Sequence, residues 1–459
     1  MIKNKTMDMT TGPFLKKILL FSLPIIFSSV LQLFFNAADI AIVGKLSIDG
    51  DFAVSAVGCS ASLINAIISL AVGLSNGASV VVSQCVGARN DKKIKDAVHT
   101  AMSISVICGV FLGVVGFVLA TPLLILIGTP NEVLPLAQLY MRIYFAGLPV
   151  QMIYNFGSSI LRAIGDTVRP LIYLALAGVL NVGLNIFFVS AFNMSVDGVA
   201  LATVISQGVS AVLVVIHMLR QDNACRLFFK ELGIKAKMLK QILYVGIPAG
   251  LNGIIFSFSN TIMQSTINSF GPYAMAGSAA ANSIAAFVLM PMNAIHHASS
   301  NFIGQNTGAK KLEQIKKLTK LMCRIVTVIG IIMSMIVVVL RRDLISIYTN
   351  SQEAIRFGVI HLLVICIPYF VCGVNDVMVG CTRGMGTAVA PMLVSLICIC
   401  GFRLVWLLGF FPYIKTVIAS VDIQYAVLFL SYVLSWSIAL IFQTLVYNNT
   451  YKKLKIKFA

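Results

Sequence analysis

Residues 23–44 read LPIIFSSVLQLFFNAADIAIVG, an apolar stretch with a single carboxylate, Asp39, in its second half. Its length suits a helix that crosses a bilayer. Gln32, Asn36 and Asp39 recur at helical steps and share one face, while Ile, Leu, Val and Phe fill the others. A carboxylate near the bilayer centre costs about 2.5–3.5 kcal/mol on insertion scales, so it is expected to face a cavity or a partner. An Asn would hydrogen-bond a neighbouring helix more cheaply. The titratable group fits a site that binds and releases a proton or a cation.

The rest of the chain repeats this texture. Of 459 residues, 58% are hydrophobic and 11% charged, and the mean hydropathy is +0.93. Apolar runs of about 20 residues recur from end to end, without the alternation of barrel strands, so the fold class expected is an all-α polytopic membrane protein. The net charge is +18. In a soluble chain that excess would suggest nucleic acid. Here the cations sit in short segments between apolar runs, where they set topology, and no nucleic-acid partner is expected. The ten cysteines lie mostly inside apolar runs, without a CxxC pair or clustering with His, and read as small core residues. No metal site is expected. The N-terminal MIKNKTMDMTTGPFLKK shows no small-residue cleavage site, so a removed signal peptide is not expected.

Twelve spans are expected, centred on 18–43, 54–83, 98–120, 133–156, 168–191, 197–219, 242–268, 274–304, 320–340, 356–379, 389–411 and 423–447. With odd spans running outward, the inner segments hold 27 Lys and Arg, Arg162 and Arg383 among them, against six in the outer loops. Arg403 is inside a span, and the Arg341–Arg342 pair is the exception among the outer loops. This asymmetry places both termini in the cytoplasm and the chain in the inner (plasma) membrane.

The two halves echo each other. A shift of 224 carries Pro24 onto Pro248 and Asn36 onto Asn260. A shift of 221 carries Gln84, Gly87 and Ala88 onto Gln305, Gly308 and Ala309, and Arg162, Gly165 and Pro170 onto Arg383, Gly386 and Pro391. It also carries Asn155 onto Asp376. An even number of spans per half makes the repeat parallel, a transporter signature. The expected organisation is an N-lobe over 1–219, a basic linker over 220–241, a C-lobe over 242–447 and a basic cytoplasmic tail over 448–459.

Polar residues inside the spans form stripes. Gln151 and Asn155, then Asn181 and Asn185, are each spaced i,i+4, and span 6 adds Thr203, Ser206 and Gln207. In the second half Asn260, Gln264 and Asn268 step by four, followed by Asn293, His296, His297, His361, Asn375, Asp376 and Arg403. For any single amide, helix–helix packing is the simpler reading; stripes converging on an acid fit a hydrated cavity. His296 and His297 read equally as packing or proton-linked residues. Asp376 and Arg403 read equally as a mutually neutralising pair or as cavity groups. Pro24, Pro149, Pro248, Pro291 and Pro368 permit bending, Pro170 and Pro391 mark helix starts, and Gly73, Gly77 and Ala78 permit close helix approach. No Walker loop or HExxH occurs, so an enzyme is not expected and the energy source is an ion gradient or the membrane potential.

These stretches together resemble the MATE (multidrug and toxic compound extrusion) transporters. The matching segments are LPIIFSSVLQLFFNAADIAIVG, SQCVGARND with its echo GQNTGAKK, LRAIGDTVRP with its echo TRGMGTAVAP, NVGLNIFFV and DGVALATVISQ. The likeness covers essentially the whole chain and is nearest in flavour to the DinF-like branch. It implies twelve helices in two pseudo-symmetric six-helix lobes, set as a V, that export cationic or amphipathic organic compounds against entry of H⁺ or Na⁺ by alternating access. It makes Asp39 the span 1 coupling carboxylate, with Asn155 and Asn185 at the family's polar positions in spans 4 and 5. The chain departs from the pattern at Val189, where a second acid usually stands, and at Phe256, near another family acid. H⁺ is therefore the expected coupling ion ahead of Na⁺, with no bound cofactor.

The expected ion-coupling set is Asp39, Asn36, Asn155 and Asn185. The expected substrate-facing set is Gln32, Asn181, Thr203, Asn260, Gln264, Asn293, His297 and Asp376. A charged Asp39 attracts a bulky cation, and its protonation releases that cation. The expected partners are small organic cations or amphipathic drugs, the ion and the lipid bilayer, with the chain acting as a monomer. The alternative is a lipid-linked precursor flippase, which would need several cavity Arg or Lys for a diphosphate; Arg403 is the one cation expected to be available for that role.

Overall fold

A computed structural model describes residues 7–47 and 50–458. Lys3 and Lys5, counted above among the inner cations, lie outside that range, as does Ala459 of the tail. Every regular element among the described residues is helical. Among the described residues, ten helices are long and apolar enough to cross a membrane, and two more, bent by 47° at a short break, form an eleventh candidate. The expected fourth span is also in two pieces, each too short to count alone.

The chain forms two compact units, one of Met1–Met9 and Pro24–Gly250, the other of Thr10–Leu23 and Leu251–Ala459. The first contains most of α1 (Phe14–Leu46), then α2 (Gly50–Gly87), α3 (Asp91–Leu126), α4 (Leu134–Ala146), α5 (Leu148–Ala163), α6 (Val168–Ala191), α7 (Val196–Leu219) and the start of α8 (Ala236–Asn268). The second contains the start of α1 and the remainder of α8. It continues with α9 (Pro272–Gly308), α10 (Leu312–Val339), α11 (Arg341–Ser346), α12 (Gln352–Cys366) and α13 (Tyr369–Gly384). α14 (Val389–Val394), α15 (Phe402–Val405), α16 (Phe411–Val417) and α17 (Val421–Phe458) complete it, with π-helical turns at Ser395–Gly401 and Trp406–Phe410.

These units differ from the lobes expected at 219 and 242. The first turns of α1 and α8 each belong to the unit that does not hold the rest of the helix, and the changes fall at or near Pro24 and Pro248. Proline removes a ladder hydrogen bond and clashes with the preceding turn, so a helix can leave one packing environment there and enter another. In α1, Ser28 and Ser29 donate to the carbonyls of Pro24 and Ile25 at 2.9 and 3.1 Å, a back-bonding that bends helices further. The linker is not free either. The Phe228 N–H donates to His99 Nε2 at 3.0 Å and the Lys235 N–H to Thr100 Oγ1 at 3.1 Å, which fastens it to α3. The expected tail is the end of α17, held by Tyr447 donating to Thr319 (3.1 Å) and Tyr451 to the Leu312 carbonyl (3.3 Å).

The internal repeat is written into the backbone. Gly165 and Gly386, one repeat apart, both have left-handed φ, +90° and +91°. Each closes the helix before it in the same way: Asp166 N–H reaches Leu161 O, and Thr387 N–H reaches Thr382 O. Arg89 and Lys310, also one repeat apart, share φ values of +50° and +58° after α2 and α9.

Small residues set helix spacing in the first unit. A Cβ on Gly77 would lie 2.7 Å from Gly246 Cα, so α2 and α8 touch backbone to backbone. On the same helix, a Cβ on Gly58 would meet nothing within 4 Å. Gly77→Leu is expected to destabilise the purified protein by about 1–3 kcal/mol, while Gly58→Leu leaves it within error. Comparable thermal shifts for the two variants would show that this contact does not constrain the fold.

Candidate functional site

Each unit holds its own polar centre. In the first unit, Asn185 Nδ2 donates to Asp39 Oδ1 and also to Asn181 Oδ1 at 3.4 Å. Asn181 Nδ2 donates to Thr203 Oγ1 at 3.3 Å, and Thr203 donates to the Val199 carbonyl at 2.9 Å. Helices α1, α6 and α7 are thus joined by one chain of side-chain hydrogen bonds ending on the carboxylate. Asn185 is fully buried, and its Oδ1 has no partner among the described residues. The i,i+4 spacing that aligned Asn181 with Asn185 in the sequence makes this chain possible.

A glycine admits the carboxylate. A Cβ on Gly178 would overlap the Phe35 ring. Phe35 precedes Asp39 by one turn and Gly178 precedes Asn185 by two, so the missing side chain lets α1 lie against α6 with acid facing amide. Tyr140 and Tyr144, with ring centroids 6.3 Å apart, stand within electrostatic range of Asp39. Gln151 Nε2 donates to Tyr144 Oη at 3.0 Å.

The other expected residues of this unit stand apart from the chain. Gln32 and Asn36 are exposed, Asn155 is half-buried, and none of the three makes a side-chain hydrogen bond among the described residues. Val189, at the position of the second family acid, is buried.

In the second unit a cavity of about 300 Å³ brings together Asn260, Asn293 and Asp376 of the expected set, with His296, Arg383 and Arg403. Gln264 and His297 do not line it. Gln264 donates to Asn268 along its own helix at 2.9 Å, and the His297 ring packs edge-on against His296 at 5.6 Å. His296 Nδ1 donates to the Asp376 carbonyl at 2.6 Å. His361 is a packing residue, stacked on Phe429 at 4.0 Å.

Arg403 is the best-held group here. It is 2% exposed and donates to Ser259 Oγ (3.1 Å), Asn260 Oδ1 (3.4 Å) and Ser435 Oγ (3.4 Å), with its guanidinium 3.8 Å from the Tyr432 ring centroid. The π-helical turns on either side of α15 bracket it; such turns often mark functional positions. Of the two readings of Asp376 and Arg403, neutralisation fails: no ion pair joins them among the described residues. The expectation of one cavity cation is also corrected. Arg383, counted as a loop residue, lies within α13, is 6% exposed and lines the cavity. Tyr432 and Trp436 were missed as well, although their i,i+4 spacing was a usable signal.

A sequence model of the MatE family matches residues 24–187 and 248–407, once in each half. The chain is 29% identical over 393 residues to the "Probable multidrug resistance protein YpnP" of Bacillus subtilis, covering 86% of this chain and 87% of the relative. It is 25% identical to the "Probable multidrug resistance protein NorM" of Thermotoga maritima, covering 85% and 84%. A solved structure described as "MATE in the bent conformation" superposes with a TM-score of 0.88 at 20% identity, covering 99% of this chain and 100% of the other.

The Asp39–Asn185 contact can be weighed by a double-mutant cycle. Asp39→Asn, Asn185→Val and the double variant are expected to give a coupling energy of about 0.5–2 kcal/mol in reversible unfolding within lipid bicelles. Additive losses would mean that the two side chains do not support each other.

Proposed function

We propose, on the premise that this chain belongs to the MatE family of transporters, that it exports cationic or amphipathic organic compounds in exchange for H⁺. The observation that carries this reading is Asp39 held by Asn185 in a buried chain of amides. Asn185 suits both protonation states. Its N–H groups hold the carboxylate, and its unpartnered oxygen can accept the O–H of the neutral acid after a side-chain rotation. A second carboxylate, which would favour Na⁺, is replaced by buried Val189. The names of the curated relatives support a drug-like substrate range.

In the proposed cycle the charged acid draws a cation toward Tyr140 and Tyr144 through charge and ring-face attraction. Protonation from outside removes that attraction, and α1 rearranges about Pro24. Exchange requires only that proton and substrate favour different states. Of the remaining expected residues, Gln32, Asn36 and Asn155 in the first unit serve as adaptable polar contacts for the cation, while Asn260, Asn293 and Asp376 line the separate cavity of the second unit. No bound cofactor is needed. The working unit is a single chain, since the internal duplication supplies both halves. Its setting is the inner (plasma) membrane with both termini in the cytoplasm, as the charge asymmetry favours, and a green fluorescent protein fused after Ala459 is expected to fluoresce.

Ethidium efflux from cells making wild type or Asp39→Asn tests the coupling. Wild type is expected to respond to an imposed pH gradient and to ignore a Na⁺ gradient. The variant, at equal membrane abundance, is expected to fall to the level of cells lacking the protein. Unchanged efflux in the variant would remove Asp39 from the mechanism, and a response to Na⁺ alone would replace the ion.

A further inference from the structure

We propose that the cavity of the second unit binds the carboxylate of an aromatic organic acid, held by Arg383 and Arg403 with its ring among Tyr369, Tyr432 and Trp436. This goes beyond cation export and does not depend on Asp39.

The charges point this way. Two guanidiniums and one carboxylate, Asp376, line the cavity, and no ion pair joins them among the described residues. Arg403 is positioned by two serine hydroxyls, an amide oxygen and a tyrosine face, all of them neutral. Arg383 is the decisive group. It is 6% exposed, and its Nε and Nη2 have no hydrogen-bond partner among the described residues. A buried guanidinium short of acceptors is costly, and a carboxylate supplies two acceptors in the matching planar geometry. His296 is already oriented by its bond to the Asp376 carbonyl and adds no competing acid.

The walls select the remainder of the ligand. Tyr369 and Tyr432 lie with ring centroids 5.4 and 5.6 Å from that of Trp436. A volume of about 300 Å³ suits a compact ring system. A single surplus positive charge suits a monoanion over a diphosphate. An organic cation would meet two guanidiniums for one carboxylate.

The test uses the full chain in nanodiscs. Trp406 and Trp436 are the two tryptophans, so Trp406→Phe leaves one reporter, in the cavity wall. Energy transfer from Trp436 to anthracene-9-carboxylate is expected to saturate, with the uncharged anthracene-9-carboxamide at least ~10-fold weaker. Arg383→Gln should abolish that difference, Asp376→Asn should tighten the acid several-fold by removing a like charge, and Asp39→Asn should change neither. The comparison of acid with amide needs no cavity variant, so it stands even where a substitution perturbs folding. Equal binding of acid and amide, tighter binding of 9-anthracenylmethylammonium, or transfer that does not saturate would each overturn the proposal. Discrimination that survives Arg383→Gln would overturn the role of Arg383.

Discussion

Inside a bilayer a polar atom finds no water, so each must be satisfied by the protein. This constraint shapes the molecule at every scale. It makes each spanning element a helix, whose backbone satisfies itself, and leaves side chains to report where something else is needed. In the first unit Thr203, Asn181 and Asn185 relay hydrogen bonds to Asp39, and within that chain the Asn185 oxygen is left over. In the second the groups left short include cations. Arg403 is surrounded by dipoles and a ring face, and Arg383 keeps open donors at a buried position.

Much of this was legible in the sequence, because membrane spans and repeats are written in long, redundant signals. The spans, the duplication, the approach of helices at Gly73 and Gly77, and the alignment of Asn181 with Asn185 all follow from spacing alone. What failed was depth. Arg383 looked like a loop cation because it stands three residues before Gly386, yet α13 continues to Gly384 and carries the side chain inward. Gln32 and Asn36 share a face with Asp39, as the helical steps required, but a face says nothing about what lies opposite, and neither side chain finds a hydrogen-bond partner among the described residues. The linker and the tail were read from charge, which marks topology and is silent about packing; His99 and Thr100 tie down the one, Tyr447 and Tyr451 the other.

The two units share backbone punctuation and differ in chemistry. Paired left-handed positions at 89 and 310, and at 165 and 386, end corresponding helices alike. The polar content has drifted apart: Asn155 corresponds to Asp376, and Val182 to Arg403. π-helical turns accompany that difference, since Ser395–Gly401 and Trp406–Phe410 interrupt the helix that carries Arg403, whereas α6 is regular throughout. A duplicated scaffold has kept its joints and altered its sites.

The solitary carboxylate of the hydrogen-bonded chain also bears on energetics. One acid holds one unit of charge, either a proton or a monovalent organic cation. In the proposed exchange each trip inward with a proton cancels the charge of each trip outward with a cation, so a full cycle is electrically silent. The transmembrane voltage, worth about 2.3 kcal/mol per charge at 100 mV, then does no work on the cycle. Concentrative power is set by the pH difference alone: about 1.4 kcal/mol, or one tenfold step in substrate, for each pH unit.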